Sequence, residues 1–222
     1  AAPLMLVLAG AIIGAFPKVS ATEIEPEWIL GGILPPLLYS AAINMPTNDF
    51  RRNLKPITGL AVLLVVISTG VAAVLFHALM PQIGWPAAFA LAAVLSPTDA
   101  VAATAVGRRL GLPSRLLVIL EGEGLVNDAT ALVLLRSAVA AMGAGVTAGG
   151  VIGDFVLAVI GAVVVGLLVG FINVRIRRRI SDPVLNTAIS FVVPFLAYIP
   201  AEDLGFSGIL AVVVTGLVTS DL

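Results

Sequence analysis

Cysteine is absent from this 222-residue chain, and histidine occurs once, as His77. The absence of cysteine excludes disulfides and thiolate metal sites, and a single histidine cannot form a zinc site alone. Charge is also scarce, because only 11% of the residues are charged, against roughly a quarter in soluble domains. The formal net charge of −1 leaves no basic surplus for a nucleic-acid partner. We therefore expect neither a soluble domain nor a nucleic-acid-binding protein, and we expect no cofactor.

Apolar residues dominate the sequence: 59% of the chain is hydrophobic, and the mean hydropathy is +1.12. About eight apolar runs approach or reach the length that crosses a bilayer. They cover residues 3–17, 28–46, 57–79, 85–107, 114–141, 151–174, 184–200 and 206–220. The sequence predicts an all-α integral membrane protein with about eight transmembrane helices. The first and last runs are short, as expected of a piece of a larger helix bundle.

Basic residues mark the orientation of these helices. Ten of the twelve lie in every second connection: Arg51, Arg52 and Lys55; Arg108, Arg109 and Arg115; and Arg175, Arg177, Arg178 and Arg179. Because Lys and Arg in short loops stay on the cytoplasmic side, we expect these connections to be cytoplasmic. The protein is predicted to be a multi-pass protein of the cell membrane, with the bacterial inner membrane as the expected location. Arg136 is an exception, and its side chain is expected to extend to the outer interface.

Four carboxylates lie inside apolar runs: Asp99, Glu121, Glu123 and Asp128. A charge at bilayer depth costs about 2.5 to 3.5 kcal/mol even on insertion scales, so such residues mark ion and proton pathways. Four acids in two adjacent predicted helices are explained better by ion handling than by structural pairing. The sequence therefore predicts an ion-handling transporter rather than an enzyme.

The fourth apolar run is predicted to be a discontinuous helix, interrupted near 96–100 by Ser96-Pro97-Thr98-Asp99. Proline removes a backbone donor and clashes with the preceding helical turn. Unwound backbone at membrane depth is tolerated where it lines a cavity or is buried in protein, and transporters use such breaks to bind ions. A simple proline kink, with Asp99 capping the following half-helix, is the alternative, and the two interpretations are compatible.

Helical spacing divides the fifth run into two stripes. Glu121, Gly124 and Asp128 share one stripe, while Glu123 and Asn127 share another. One stripe can handle ions while the other anchors the helix. Glu123 is assigned to anchoring, and it is expected to need a basic partner from elsewhere in the bundle.

Asp128, midway along the fifth run, is the predicted exchanging carboxylate. Burial favours its protonated form, whereas a bound cation favours its ionised form, so proton and cation compete for one group. A hard cation such as Na⁺ prefers oxygen ligands, which Asp128, the Asp99 region and Thr98 can supply. This competition is the chemistry of antiport.

The motifs of this chain resemble those of the monovalent cation:proton antiporters of the sodium/hydrogen exchanger type, in their NhaP-like branch. The family pattern is approximately S-x-T-D-P, then L-G-x-P, then E-G-E-S-x-x-N-D-x-x-A-x-V. The chain has SPTD followed by VAATAVGRRLGLPSRLLVILEGEGLVNDATALVLLR. Upstream, ILGGILPPLLYSAAINM and DFRRNLKPI resemble the family's third helix and following loop. The resemblance covers nearly the whole chain, and its EGE and ND block is highly specific.

The resemblance implies an inverted-repeat fold with a dimerisation domain and a mobile core that carries the ion as an elevator. Residues 1–222 would form part of that transmembrane domain, with the core's broken helix and carboxylate helix inside 85–141. The remaining helices would supply the scaffold, the dimer contact and the start of the second repeat. The implied activity is exchange of Na⁺, or of K⁺ or Li⁺, for H⁺ by a membrane-embedded homodimer.

The same matching assigns roles to individual residues. Asn127 and Asp128 correspond to the Asn-Asp pair associated with electroneutral exchange, and Asp128 would be the carrier. Thr98 and Asp99 would line the crossing of broken helices. Glu123 would pair with an arginine located beyond Leu222. Glu121 is outside this matching; from its position in the fifth run we expect it near the inner end, as an entry residue.

Three positions depart from the family pattern. Gly124 stands in place of the usual serine ligand, Ala100 in place of the usual proline, and Ser40 where many bacterial members have glutamate. Loss of the serine hydroxyl puts the ion preference in question, and a water or a freed backbone carbonyl near Gly124 can substitute for it. A K⁺-preferring or weakly active member is an open alternative.

Two other functional classes are considered. An intramembrane aspartyl protease also needs two membrane aspartates that share a proton, here Asp99 and Asp128. Neither aspartate has the Tyr-Asp or Gly-x-Gly-Asp setting of such proteases. A non-transporting exchanger fragment is the second alternative, because this chain would lack the second broken helix and the arginine that the resemblance implies.

Overall fold

The computed structural model of the protein describes residues 2–14, 25, 28–98, 100–143 and 148–220. The regular elements in these ranges are helices, which confirms the all-α prediction. We number the α-helices in chain order as α1 Ala2–Gly14, α2 Leu34–Ile43, α3 Thr47–Arg52, α4 Leu54–Thr58, α5 Val65–Leu79, α6 Trp85–Leu95, α7 Ala100–Arg109, α8 Ser114–Gly143, α9 Ala148–Arg177, α10 Pro183–Asp203 and α11 Gly208–Thr219. Two π-helical segments extend this set, Trp28–Ile33 before α2 and Gly59–Leu64 between α4 and α5.

Every predicted apolar run overlaps at least one of these helices. Within the described ranges, four helices are long and apolar enough to cross a membrane: Leu54–Leu79, Ser114–Gly143, Ile152–Arg177 and Pro183–Asp203. Three further apolar helices are shorter, Trp28–Ile43, Trp85–Leu95 and Gly208–Thr219. The chain is therefore a multi-pass membrane protein, although several of its apolar helices are shorter than the roughly 20 residues of a full span.

The helices pack in two groups. In the first group, α8 packs against α5, α6 and α7 and against the shorter α3 and α4. In the second group, α9, α10 and α11 pack together, and α2 packs against α10 and α11. Helix α8 also contacts α2, α9 and α11. We call this boundary between the two groups the seam.

An apolar cluster crosses the seam. Leu125 of α8 lies in one buried cluster with Ala42 of α2, with Met45 just after α2, and with Val213 of α11. Ile57 of α4 belongs to the same cluster and is fully buried. The two groups are therefore joined through side chains that exclude lipid and water along part of α8.

Close packing within the second group depends on two glycines of α9. A Cβ atom on Gly166 would lie 2.6 Å from the backbone oxygen of Ala211, and one on Gly170 would lie 2.8 Å from Cβ of Val218. Both distances are shorter than real Cβ contacts, so α11 approaches α9 only because these positions lack side chains. Small residues allow this kind of approach between membrane helices, where apolar burial drives association weakly.

The corner between α10 and α11 is also fixed by the local sequence. Helix α10 ends before Gly205, which has a φ of +77°, a conformation that favours glycine. The Gly205 N–H donates to the Glu202 carbonyl oxygen at 2.9 Å. Ser207 then begins α11 by accepting a hydrogen bond from the Leu210 N–H at 3.3 Å. Residues 202–207 thus form a tight connection.

Two of the basic connections lie together. Arg115, at the start of α8, donates through Nε to Oδ1 of Asn53, which follows α3, at 2.9 Å. The segment carrying Arg51 and Arg52 and the start of α8 are therefore at one end of the bundle, as the predicted orientation requires. We call this the basic end.

Candidate functional site

The predicted helix break is present between α6 and α7. Helix α6 ends at Leu95, Ser96, Pro97 and Thr98 are not helical, and α7 begins at Ala100. The predicted site residue Asp99 lies outside the described residues. Proline explains the interruption, because it cannot donate to the preceding turn and its ring clashes with it.

Hydroxyl groups from α5 hold the break at its α6 side. Thr69 Oγ1 donates to Ser96 Oγ at 2.8 Å, and Ser68 Oγ lies 3.2 Å from the same atom. Thr69 is 1% exposed, so this contact is inside the bundle. Side chains of a neighbouring helix thus satisfy a polar group at the break, which is how broken membrane helices are tolerated.

The anchoring stripe of α8 meets the other side of the break. Thr98 Oγ1 donates to Glu123 Oε1 at 2.6 Å. Asn127 Nδ2 lies 3.1 Å from the Thr98 carbonyl oxygen, 3.1 Å from Thr98 Oγ1 and 3.0 Å from Glu123 Oε1. Glu123 is 7% exposed and Asn127 is fully buried. The structure therefore brings Thr98, Glu123 and Asn127 into one hydrogen-bonded cluster, which we call the anchor cluster.

The orientation of the Asn127 amide follows from its neighbours. The Thr98 carbonyl oxygen can only accept a hydrogen bond, so the amide nitrogen must face it. The amide oxygen Oδ1 consequently faces the other way, and it has no hydrogen-bond partner among the described residues. A buried acceptor of this kind is costly when unsatisfied, and it can coordinate a cation or accept from water.

The ion-handling stripe of α8 faces an open cleft of about 860 Å³. Asp128, Gly124 and Glu121 line it together with Pro97 and Thr98 of the break. The opposite wall comes from α2 and the residues after it: Leu34, Leu37, Leu38, Ala41, Asn44 and Met45. The cleft therefore lies on the seam, and it exposes Asp128 and Thr98 while Glu123 and Asn127 stay buried.

Glu121 forms an ion pair with Arg108 at the cleft. Arg108 Nη2 contacts Glu121 Oε1, and the two side chains are 66% and 29% exposed. Both residues line the cleft. Arg108 is near the end of α7, and Glu121 is in the first third of α8, the part of that helix nearer the basic end. The cleft thus opens towards the basic end, and its charged entrance contains one acid and one base.

The structure places most of the predicted site residues within one region, as a cleft wall and a buried support. Glu121, Gly124 and Asp128 are on the wall, Glu123 and Asn127 are in the support, and Thr98 takes part in both. The expected arginine partner of Glu123 stays a prediction. Within the part of the chain that the structure describes, its carboxyl group accepts from a hydroxyl and an amide instead.

Three contacts near the site are not evident from sequence reasoning. They are the Ser68, Thr69 and Ser96 hydroxyl cluster, the Arg108 and Glu121 pair, and a pair between Arg136 and Glu202. The Arg136 guanidinium contacts the Glu202 carboxylate, and its extension to the outer interface stays a prediction. Its position inside an apolar run was a signal of a partner, although the sequence does not identify which acid it is.

Comparison with known proteins places these features in a family. The family described as sodium/hydrogen exchanger, transmembrane, matches residues 1–222. An uncharacterized Na⁺/H⁺ exchanger of Mycobacterium tuberculosis is 40% identical over 97% of this chain and 40% of its own length. A sodium, potassium, lithium and rubidium/H⁺ antiporter of Bacillus pumilus is 37% identical over 97% of this chain and 33% of its own length.

A third relative, the Na⁺/H⁺ antiporter NhaS2 of Synechocystis, is 36% identical over 98% of this chain and 40% of its own length. The chain thus spans between a third and two fifths of the length of these relatives. Their names describe transporters rather than enzymes, in agreement with the prediction from the membrane acids.

Proposed function

The chain belongs to the sodium/hydrogen exchanger family, and on that premise we propose that the full-length protein exchanges a monovalent cation for protons across the membrane. The single observation that carries this proposal is the position of Asp128. Its carboxyl group lines an open cleft, beside the hydroxyl of Thr98 at a broken helix. A carboxylate at that depth is accessible to water from one end of the bundle, which ion exchange requires.

The proposed chemistry is competition at Asp128. With a proton bound, the carboxyl group is neutral and tolerates a dry environment; when the proton leaves to the cleft, the carboxylate attracts a cation. Oxygen atoms near it suit a hard, weakly polarising ion. Thr98 and Asp99 are proposed ligands with Asp128, and the unpartnered Oδ1 of Asn127 is a further candidate.

The anchor cluster would fix this geometry without exchanging ions itself. Glu123 accepts a hydrogen bond from the Thr98 hydroxyl, and Asn127 donates to the same hydroxyl oxygen, which leaves one lone pair of that oxygen to face a cation. Asn127 donates to the Thr98 carbonyl oxygen as well. These contacts orient the broken segment, so Glu123 and Asn127 would act on the cation site by positioning Thr98.

The stoichiometry proposed is one cation for one proton. Glu121 lies on the same stripe of α8 as Asp128, but it is paired with Arg108. Asn127, the residue just before Asp128, carries no charge. One carboxylate that alternates between a proton and a monovalent cation moves the same charge in both directions. The exchange would therefore be electroneutral and insensitive to membrane potential.

Movement of the two helix groups against each other would provide alternating access. The Asp128 cleft lies on the seam between them, so a shift of the first group, including residues 85–141, would carry the site past α2 and α11. We place the second group and α1 in the scaffold of a homodimer, in the bacterial inner membrane. Na⁺, K⁺ and Li⁺ are all proposed substrates, since Gly124 lacks the serine hydroxyl of the family pattern.

The test is cation-driven proton flux in membrane vesicles containing the full-length protein, followed with a pH-sensitive dye. Asp128→Asn should abolish Na⁺- and K⁺-dependent dequenching, because an amide cannot exchange a proton. Asp203→Asn, at an exposed position at the end of α10, is the matched control and should transport normally. Full cation-dependent flux in Asp128→Asn would refute the proposed carrier.

The intramembrane protease alternative has less support. Family membership points to transporters, and protease chemistry needs Asp99 and Asp128 to share a proton. In that case Asp99→Asn and Asp128→Asn would remove peptide cleavage, and neither would have a cation-dependent phenotype.

A further inference from the structure

Two of the cavities along α8 lie on opposite sides of its midpoint. The first is the Asp128 cleft at the basic end. The second, of about 300 Å³, is lined by Arg136 and Ser137 of α8, Asp154 of α9, and Glu202 and Phe206 near the α10–α11 corner. Arg136 is eight residues beyond Asp128, a rise of about 12 Å along the helix. The second cavity is therefore at the end of the seam opposite the basic end.

The acid at this second cavity is part of a rigid corner. Glu202 Oε1 accepts from the Gly208 N–H at 2.8 Å, at the start of α11. The Ser207 N–H donates to the Ala158 carbonyl oxygen of α9 at 3.3 Å. The Phe206 ring occupies the space over Gly161, where a Cβ atom would lie 2.3 Å from it. Glu202 therefore belongs structurally to the second helix group.

Arg136 belongs to the first helix group, on α8, and its guanidinium binds both carboxylate oxygens of Glu202. The pair is partly shielded, with side-chain exposures of 38% for Arg136 and 27% for Glu202. A charge pair of this kind resists separation more in a partly buried setting than in open water. It thus ties α8 to the second group across the seam, far from the Asp128 cleft.

From this arrangement we propose that the Arg136–Glu202 pair is a latch that holds the seam closed at the end opposite the basic end while the Asp128 cleft is open. The inference rests on the proposed function, because a transporter must close one side of its site while the other is open. When α8 moves relative to the corner, the pair has to separate. The cavity then contains two carboxylates, Asp154 and Glu202, without the guanidinium between them, and it attracts cations to the newly opened side.

The proposal is tested by the accessibility of the second cavity. The chain contains no cysteine, so Ser137→Cys, introduced into the full-length protein after replacement of any cysteines elsewhere, reports on this cavity alone. The probe is a membrane-impermeant maleimide added to the outer side of intact cells. In otherwise unchanged protein we expect slow labelling, because the closed latch keeps Ser137 half-buried.

Loss of the latch should accelerate labelling. Arg136→Gln and Glu202→Gln should each raise the rate by about fivefold, which corresponds to about 1 kcal/mol for a partly exposed pair. Glutamine at 202 keeps an oxygen that can accept from Gly208, so the start of α11 is preserved. The double variant should label no faster than either single variant, because both remove the same interaction. Asp203→Cys, exposed at the same end, should label at one rate in all backgrounds.

Unchanged labelling in the single variants, or effects that multiply in the double variant, would overturn the latch. This readout does not depend on ion flux. Coupled labelling effects together with normal flux in Asp128→Asn would leave the latch standing and refute the proposed carrier. Lost flux in Asp128→Asn, together with unchanged labelling in the Arg136 and Glu202 variants, would support the proposed carrier and refute the latch.

Discussion

Replacement of Thr98 by valine removes a hydroxyl group that makes two hydrogen bonds in the anchor cluster. Valine has nearly the shape of threonine, so Thr98→Val removes the hydroxyl without opening a cavity. The hydroxyl donates to Glu123 Oε1 at 2.6 Å and accepts from Asn127 Nδ2 at 3.1 Å. The backbone carbonyl of residue 98, which also accepts from Asn127 at 3.1 Å, is kept. The main loss is therefore one hydrogen bond to the Glu123 carboxyl group.

The magnitude follows from the burial of that carboxyl group. A hydrogen bond to a charged group contributes about 1.5 to 3 kcal/mol, and Glu123 is only 7% exposed. If the contact orients Thr98 for the cation, its loss lowers apparent cation affinity by about tenfold or more, since 1.4 kcal/mol corresponds to a factor of ten. The removed oxygen is also a proposed ligand, which acts in the same direction.

The assay is a cation titration of dye dequenching in vesicles with matched amounts of protein. Thr98→Ser keeps the hydroxyl and should stay close to the unchanged protein. Thr58→Val is the second control, because the Thr58 hydroxyl is exposed and donates within its own helix to the Leu54 carbonyl oxygen at 2.7 Å. Equal half-maximal cation concentrations for Thr98→Val and the unchanged protein would refute the assignment of Thr98 to the cation site.

Three further predictions concern packing, the cleft entrance and ion preference. Gly166→Ala should lower the free energy of unfolding by about 1 to 3 kcal/mol, because the new Cβ overlaps Val214 and the backbone of α11. Gly153→Ala, on the same helix, has no described atom within 4 Å of its built Cβ, so it should be neutral or stabilising in the same melting assay. Arg108→Gln should raise the apparent cation affinity at low ionic strength, because it leaves the entrance of the cleft acidic. This gain should fade above about 0.1 M inert salt, where the screening length is about 10 Å. A gain that is independent of salt would contradict the electrostatic explanation. Gly124→Ser should change the apparent Na⁺ affinity or the Na⁺-to-K⁺ preference measured by flux, and no change would place this position away from the bound ion.

The helix break and the two stripes of α8 were predictable because they depend on local geometry. Pro97 disturbs only the turn that precedes it, so its effect can be read locally; proline alone does not end every helix of this chain, since Pro194 and Pro200 lie inside α10. Positions 121, 124 and 128 share a face in any α-helix. To predict which stripe faces the cleft, one further fact is needed, namely that α8 packs beside the break. Because α6, α7 and α8 are adjacent in sequence, they are expected to pack together, as the structure shows.

Long-range partners were not predictable in the same way. Arg136 could pair with Asp154, Glu202 or Asp203, and only the packing of the α10–α11 corner selects Glu202. The glycine spacings illustrate the same limit. Gly166 meets α11, whereas Gly10 has the same four-residue spacing to another glycine and no described atom near its built Cβ. Spacing permits close approach, but it does not identify the helix that approaches.

The hydrogen bonds around position 127 explain why its side chain is a neutral amide. This explanation does not depend on the transport stoichiometry. Three oxygen acceptors surround the side-chain nitrogen: the Thr98 carbonyl, the Thr98 hydroxyl and the Glu123 carboxyl group. A carboxylate at this position would lose the N–H donors of the amide and would place a second acid beside Glu123, in a site where residue 127 is fully buried. The Thr98 carbonyl oxygen, which can only accept, would then lose its donor. The contacts of the anchor cluster therefore favour an amide at 127, and this explanation does not depend on the role proposed for Asp128 on the cleft side of the helix.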